Sequence, residues 1–251
     1  MEINLKGKIA VITGATSQLG RVMTRTLAEC GADIAVNYIK NKELADTLTA
    51  EITAMGNRAI AVQADITDQA SINKMRDEIK AKLGDADIVV NNAVSQYTWT
   101  TILEQNVNDF GNQFESCTMQ NVYMAQAFIP AMIKKGGGRF IGTNTECSVL
   151  CNANSGAYAA AKRGMDGLYR TLAKEVGEYA VTVNQVAPGW TISEWDRQHG
   201  SEIAPEYSAT VPLRRRGTDQ EIANAVAFLA SDLASYITGV CLPVNGGNVM
   251  V

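Results

Sequence analysis

An α/β fold, a doubly wound parallel sheet with helices on both faces, is predicted by three features of this 251-residue chain. Short apolar, β-rich runs alternate with amphipathic stretches of helical length. A glycine-bearing turn joins the first run to the first helix. No repeat and no Pro/Ser-rich tract interrupts the alternation, so residues 1–251 read as a single domain.

The first strand is Ile9–Ile12, ended by Thr13-Gly14, and residues 19–29 follow at helical spacing until Cys30-Gly31 closes them. A strand at 32–37 leads to a helix at 43–55 that stops at Gly56. Next come a strand at 59–63 ending before Asp65, a helix at 71–83 closed by Gly84, and a strand at 88–90. The second half gives a helix at 114–133, a strand at 139–143, a helix at 158–176 and a strand at 181–186 stopped by Pro188-Gly189. A helix at 219–230 and a strand at 240–244 complete the pattern. The least regular stretch, 188–213, carries Trp190, Trp195, His199 and two further prolines. Long loops in such folds sit at the carboxyl ends of strands, and aromatics are costly to leave in solvent. This stretch is therefore expected to be a lid over a ligand crevice rather than a disordered excursion.

Composition narrows the function classes. With 46% hydrophobic and 19% charged residues there is ample material for a core. A net charge of −4, with no basic stripe, argues against a nucleic-acid or anionic-membrane partner, and Arg214-Arg215-Arg216 is read as a solvated turn. The longest uncharged stretch, 116–133, is broken by Thr118, Gln120, Asn121, Gln126 and Pro130 and reads as a buried helix, not a membrane span. Five cysteines without a CxxC pair, and no secretory layout at the start, point to free thiols and a cytoplasmic protein. No spacing suits a metal, and His199, the only histidine, is expected to face solvent.

Two patterns carry chemistry. Tyr158 and Lys162 stand four residues apart, on one face of a helix. An ammonium beside a phenol favours the phenolate, which is expected to lower the pKa of Tyr158 and ready it to exchange a proton with a substrate oxygen. The turn Thr13-Gly14-Ala15-Thr16-Ser17-Gln18-Leu19-Gly20 lies between the first strand and the first helix. There it aims free helix amides and the positive dipole end at a pyrophosphate.

In this order and spacing the residues resemble the short-chain dehydrogenase/reductase family, in the compact branch that includes 3-oxoacyl-ACP reductases and glucose dehydrogenases. Thr13-Gly14 through Gly20 resembles its glycine turn, and Asp65 its adenine-binding aspartate. Asn91-Asn92-Ala93 is most of its NNAG motif, and Tyr158 with Lys162 its YxxxK pair. Asn184 with Pro188-Gly189 is similar to its NxxxPG stretch. Ile237-Thr238-Gly239 with Val244-Asn245-Gly246-Gly247 is similar to its carboxyl-terminal signature.

The resemblance implies a Rossmann-type fold and an NAD(P)-dependent oxidoreductase interconverting a small-molecule carbonyl and an alcohol. It implies Tyr158 as acid/base and Lys162 as holder of the nicotinamide ribose. Thr145, at the place of the family's serine, would orient the carbonyl. The cofactor contacts it implies are Gly14, Ser17, Gln18, Leu19, Gly20, Asn37, Asp65, Ile66, Asn91, Ala93, Tyr158, Lys162, Pro188, Gly189, Thr191 and Ser193. No carboxylate follows the second strand before Glu43, while Lys40 and Lys42 are near, so NADP is expected, with NAD the other choice. Ser17, however, stands where NADP-preferring relatives often carry a basic residue. The resemblance also implies a homotetramer or homodimer, and the short apolar stretch 242–251 is consistent with a buried contact.

Four positions depart from the family pattern: Gln18 and Val94 replace glycines, Thr145 replaces serine, and Cys117 falls where a relay asparagine belongs, counted back from Pro130 at the end of its helix. Cys117 is read as a buried inert thiol, and Asn121, one turn on, as a helix-surface residue. Two alternatives stay open: a dinucleotide-binding protein with weak or lost catalysis, and a sugar or polyol dehydrogenase working in oxidation. Tyr97, Trp99, Trp190 and Trp195 either favour an apolar, ring-bearing substrate or anchor their loops.

Overall fold

A strand covered on both faces should be mainly apolar, and the first strand, Ile9–Ile12, is apolar and buried at every position. The computed structural model describes residues 2–250; Met1 and Val251, at the ends of two segments read above, lie outside them. The main sheet contains β1 (Ile9–Ile12), β2 (Asp33–Tyr38), β3 (Ala59–Gln63), β4 (Ile88–Asn91), β5 (Gly138–Thr143) and β6 (Val181–Pro188). After the short strands β7 (Thr191–Ile192) and β8 (Gly217–Thr218), which pair with each other, it is completed by β9 (Cys241–Val244). The spatial order is β3-β2-β1-β4-β5-β6-β9, all parallel, with Val11 opposite both Ala35 and Val89. The helices are α1 (Gln18–Glu29), α2 (Lys42–Ala54), α3 (Gln69–Lys82), α4 (Val107–Phe114), α5 (Gln120–Lys135), α6 (Cys147–Leu150), α7 (Gly156–Val176), α8 (Glu194–His199), α9 (Pro205–Thr210) and α10 (Asp219–Ala230).

Alternate residues of each strand feed opposite cores, because side chains point to opposite faces with period two. Ala10, Ile12, Ile34, Val36, Ile88 and Val90 pack with Met23 and Leu27 of α1 and Ile222, Val226 and Leu229 of α10. Val11, Ala35, Val89, Phe140 and Val183 pack with Ile72, Met75 and Ile79 of α3, Met124, Phe128 and Met132 of α5, and Met165 and Tyr169 of α7. Each fully buried Leu or Ile contributes about 1.5–3 kcal/mol. The chain leaves β1 to one side for β2 and β3, then to the other for β4, which opens a crevice at the carboxyl ends of β1 and β4.

The sequence places most elements within a few residues, and the departures have physical causes. Helices α1 and α3 start one or two residues earlier than expected, because Ser17 and Asp68 cap them by accepting from Gly20 N and Ala70 N. The first turns are polar and carry no apolar period. The larger difference is at 107–135, where α4 and α5 join through a π-helical segment, Glu115–Met119. The extra residue per π turn shifts the apolar stripe and hides the first two turns from a search for helical spacing. Pro130 lies inside α5, five residues before its end, so it does not close that helix as expected.

Residues 188–213 are ordered by charge and hydrogen bonding. Ser193 and Asp196 form a capping box that starts α8. In the Arg214-Arg215-Arg216 run the first two arginines are exposed, as expected of a solvated turn, but the third is not. Arg216 is only 2% exposed. Its guanidinium meets the Asp196 carboxylate at 2.9 and 3.1 Å, donates to Thr191 O and Ser201 O at 2.9 Å, and stacks 4.5 Å over the Trp190 ring. Arg197 grips Asp219 with two bonds of 2.6 and 2.8 Å. Helices of six residues are too short for a periodic signal, so only tertiary contact reveals them.

The Arg216 guanidinium holds the Asp196 carboxyl well below its usual range. A depressed carboxylate pKa contributes stability above the unfolded value, about pH 4, and loses it as pH falls below that. Acid titration followed by tryptophan fluorescence should therefore show the Trp190 environment loosening below about pH 4, and Asp196→Asn should remove this transition. Leaving Arg216 buried without its partner should also cost about 3–5 kcal/mol in chemical denaturation. A variant with wild-type stability and wild-type acid response would refute the role given to this pair.

Candidate active site

The β1–α1 turn is built to bring bare backbone to the crevice. Gly14 has φ +60°, and a Cβ there would sit 3.0 Å from Ala93 Cα; a Cβ on Gly20 would overlap the Gly14 carbonyl oxygen. Both positions are closed to any side chain, which gives the turn its glycines. The Thr13 hydroxyl accepts from Asn92 N and Ala93 N at 2.9 and 3.1 Å, and Asn92 Nδ2 reaches Ser17 Oγ at 3.2 Å. Gly14 N donates to Asn37 Oδ1 at 3.1 Å, and Asn37 Nδ2 donates to Ala64 O at 3.2 Å. These bonds lock the ends of β1, β2 and β4 together around the start of α1.

A cleft of about 1050 Å³ runs from Ile39 and Lys40, past Gly14, Ser17, Gln18, Leu19, Asn37, Asp65, Ile66 and Ala93, to Thr145, Tyr158, Lys162, Pro188 and Gly189. Its extent, the side-chain-free cradle at Gly14 and the exposed Ser17 capping the N-terminus of α1 fit a dinucleotide. Gln18 and Val94 line this cleft and do not plug it. Asp65 turns one carboxylate oxygen to Thr67 N and Oγ1, at 2.9 and 2.7 Å.

Four of the expected cofactor contacts lie outside the lining. Gly20 packs beneath the turn. Asn91 is buried and donates to Tyr169 Oη at 3.0 Å. Thr191 donates to Gly189 O at 3.0 Å, and Ser193 is tied to Asp196 in the α8 cap.

At the other end Tyr158 is half-buried on α7, with Thr145 at the carboxyl end of β5. The electrostatics differ from the sequence expectation. Burial pushes the Tyr158 phenol well above its ordinary value, the nearby thiols of Cys117 and Cys147 add to this, and a hydrogen bond with the Thr145 hydroxyl opposes it. Lys162 does not reverse the shift. Its Nζ donates to Thr143 O at 2.5 Å and lies 5.8 Å from the Tyr158 ring centroid. Burial lowers the lysine's own pKa, so the cost of holding a charge there outweighs the gain from its neighbours. The phenol is thus kept protonated, as a donor.

The π segment supports this end. Cys117 is fully buried, with its thiol 3.6 Å from Gln113 Oε1. Asn121 is not on the helix surface: it is 1% exposed, donates to Cys117 O at 2.7 Å and accepts from Tyr169 Oη at 2.8 Å. Gln113 donates to Ser95 O at 2.8 Å and Gln120 to Ala93 O at 2.6 Å, so two glutamines fix the wall that follows β4. Nothing local in the sequence marks them, since their partners are backbone carbonyls of another segment. Of the four aromatics, Tyr97 and Trp99 stand by Tyr158, with ring centroids 5.5 and 5.9 Å from it. Trp190 anchors the lid on Arg216, and Trp195 stacks on the exposed His199 at 4.1 Å.

Comparison with known proteins agrees with this geometry. The family profile described as "Enoyl-(Acyl carrier protein) reductase" matches residues 14–248. The 3-oxoacyl-[acyl-carrier-protein] reductase FabG of Escherichia coli (strain K12) is 38% identical over 250 residues, covering 99% of this chain and 100% of that protein. FabG of Staphylococcus aureus (strain Mu50) is 34% identical, with 97% and 98% covered. Among solved structures, a 7α-hydroxysteroid dehydrogenase complexed with NADH and 7-oxoglycochenodeoxycholic acid superposes with TM-score 0.89 at 33% identity, covering 100% of this chain and 97% of that one. A blue fluorescent protein from a metagenomic library in complex with NADPH gives TM-score 0.90 at 32% identity, with 98% and 100% covered. The glycine turn, the Tyr158–Lys162 pair and these full-length similarities together make the chain a member of the short-chain dehydrogenase/reductase family.

Proposed function

We propose that this protein is an NADP(H)-dependent reductase that converts a carbonyl with an apolar body into an alcohol. The observation that carries the reading is that Thr145, Tyr158 and Lys162 line the inner end of the dinucleotide cleft together, with the Tyr158 phenol hydrogen-bonded to the Thr145 hydroxyl. Gly14, Ser17, Asn37, Asp65 and Ala93 would hold the adenosine and phosphates, and Lys162, Pro188 and Gly189 the nicotinamide end. A nicotinamide cofactor bound there supplies the hydride. Thr145 orients the substrate oxygen by hydrogen bonding, and Tyr158 delivers its phenolic proton to that oxygen as negative charge develops. Burial holds the proton on Tyr158 more firmly than on a free phenol, as a donor to a carbonyl oxygen requires. Thr145, Tyr158 and Lys162 converge despite Cys117, which disfavours lost catalysis.

Two features support the choice of ligands. The Asn37 side chain shapes the cleft through its bonds to Gly14 and Ala64, and among the described residues the one carboxylate in the lining is Asp65, which is bonded to Thr67; Lys40 lines the cleft, exposed, while Lys42 is paired with Asp46. Near Tyr158, the rings of Tyr97 and Trp99 form an apolar wall, and the Tyr97 hydroxyl is buried without a partner. A ring-bearing carbonyl with a second polar group would stack on that wall and satisfy the hydroxyl. Among the described residues no helix is long and apolar enough to cross a membrane, and a cytoplasmic homotetramer or homodimer is proposed from the exposed Leu103, Val107 and Phe114 beside α7 and Tyr236 and Met250 near β9.

Tyr158→Phe should lower kcat/KM for carbonyl reduction by about 10²–10⁴-fold while NADP(H) binding persists; a fully active variant would remove the proposed acid. Because the phenol is held above its ordinary value, the reverse oxidation rate should keep rising through pH 10 rather than level off near neutrality. NADP(H) should bind more tightly than NAD(H), and Lys40→Ala should weaken NADP(H) roughly threefold with little effect on NAD(H). Comparable titration constants for the two would end the preference. Sedimentation should show a species of two or four chains, and a monomer would exclude the assembly.

A further inference from the structure

Glu146 follows Thr145 directly and is 5% exposed, yet among the described residues no cation pairs with its carboxylate. Its partners are neutral donors from two remote segments. Oε1 accepts from Tyr207 Oη of α9 at 2.9 Å, and Oε2 accepts from Asn248 Nδ2 at 3.0 Å. The circuit then closes on itself. Tyr207 Oη accepts from Trp190 N at 2.9 Å, Thr210 of α9 donates to Asn248 Oδ1 at 3.3 Å, and Glu146 N donates to Pro188 O at 2.9 Å.

One carboxylate therefore joins four pieces: the end of β5 that carries Thr145, the Pro188-Gly189 floor of the cleft, the helix α9 of the lid, and the segment after β9. The space is made for it, since a Cβ on Gly189 would lie 2.5 Å from Tyr207 Oη. Burial pushes the Tyr207 phenol up to about 12, so its hydroxyl remains a donor across the neutral range. A carboxylate withdrawn from water without a counter-charge is a costly way to fill a core. It becomes useful where two separate segments must be held by directional bonds that break together.

We propose that Glu146 is a positioning residue that latches α9 and the carboxyl-terminal segment onto the cofactor cleft, so that the lid closes over substrate as one joined unit. This rests on the reductase reading for its catalytic consequence. Opening the latch lets the lid swing away from bound substrate without removing any group that touches the reacting atoms.

The first test is Tyr207→Phe, which deletes one hydroxyl on the lid and keeps the ring against Trp190. It should raise KM for the carbonyl about 3–10-fold with kcat within twofold. In the absence of substrate, tryptic cleavage after the exposed Arg214 should accelerate by a similar factor. Glu146→Gln should reproduce both effects, because its amide cannot accept from both donors, and the double variant should be no worse than the stronger single one. Wild-type values in Tyr207→Phe, additive effects in the double variant, or a kcat loss with KM unchanged would each overturn the latch. The cleavage assay needs no turnover. A wild-type protein that reduces no carbonyl would sink the reductase reading and leave the latch to be judged on cleavage alone.

Discussion

A parallel sheet covered by helices on both faces has nowhere to put polar chemistry except the ends of its strands. Ala10, Val11, Ile12, Ile34, Ala35 and Val36 are each fully buried, so β1 and β2 offer nothing but backbone and packing along their length. The polar groups that meet the cleft gather at the carboxyl edge, where Thr13, Asn37, Asn91, Thr143 and Pro188 each lie within one residue of their strand's end. The winding from β1 outward in both directions then separates two sets of loops and leaves the cleft between them. The catalytic and cofactor groups share a site because the core excludes them from everywhere else.

Desolvation, rather than the neighbouring cation, sets the character of that site. Lys162 and Tyr158 are partners by position, but burial acts in opposite senses on an ammonium and a phenol: it lowers the one and raises the other. The lysine answers by bonding to Thr143 O, and the tyrosine keeps its proton. The Thr145 hydroxyl is the group that moderates the tyrosine. Thr145 itself is buried, at 8% exposure.

The segment between β6 and α10 resolves the double reading of its aromatics. Trp190 is spent on Arg216 and the Tyr207 ring, so it organises the lid. Tyr97 and Trp99, from the loop after β4, stand against the Tyr158 ring instead. Lid and floor are stitched by an ion pair on one side, Arg216 with Asp196, and on the other by hydrogen bonds from the neutral donors Tyr207 and Asn248 to the Glu146 carboxylate.

The sequence alone determined the alternation of strands and helices, the glycine turn, the placement of Asn37, Asp65, Thr145, Tyr158 and Lys162 along one edge, and the family to which these belong. Those features are local: period, caps and short-range spacing are written in neighbouring residues. Only the tertiary structure decided that Arg216 is a buried hub, that Asn121 is internal, that a π turn lies at Cys117, and that Lys162 turns to Thr143 instead of lowering the tyrosine's pKa. Each of these depends on burial and on partners tens of residues away, and the free energy of a charged or polar side chain is set by what surrounds it, which no window along the chain contains.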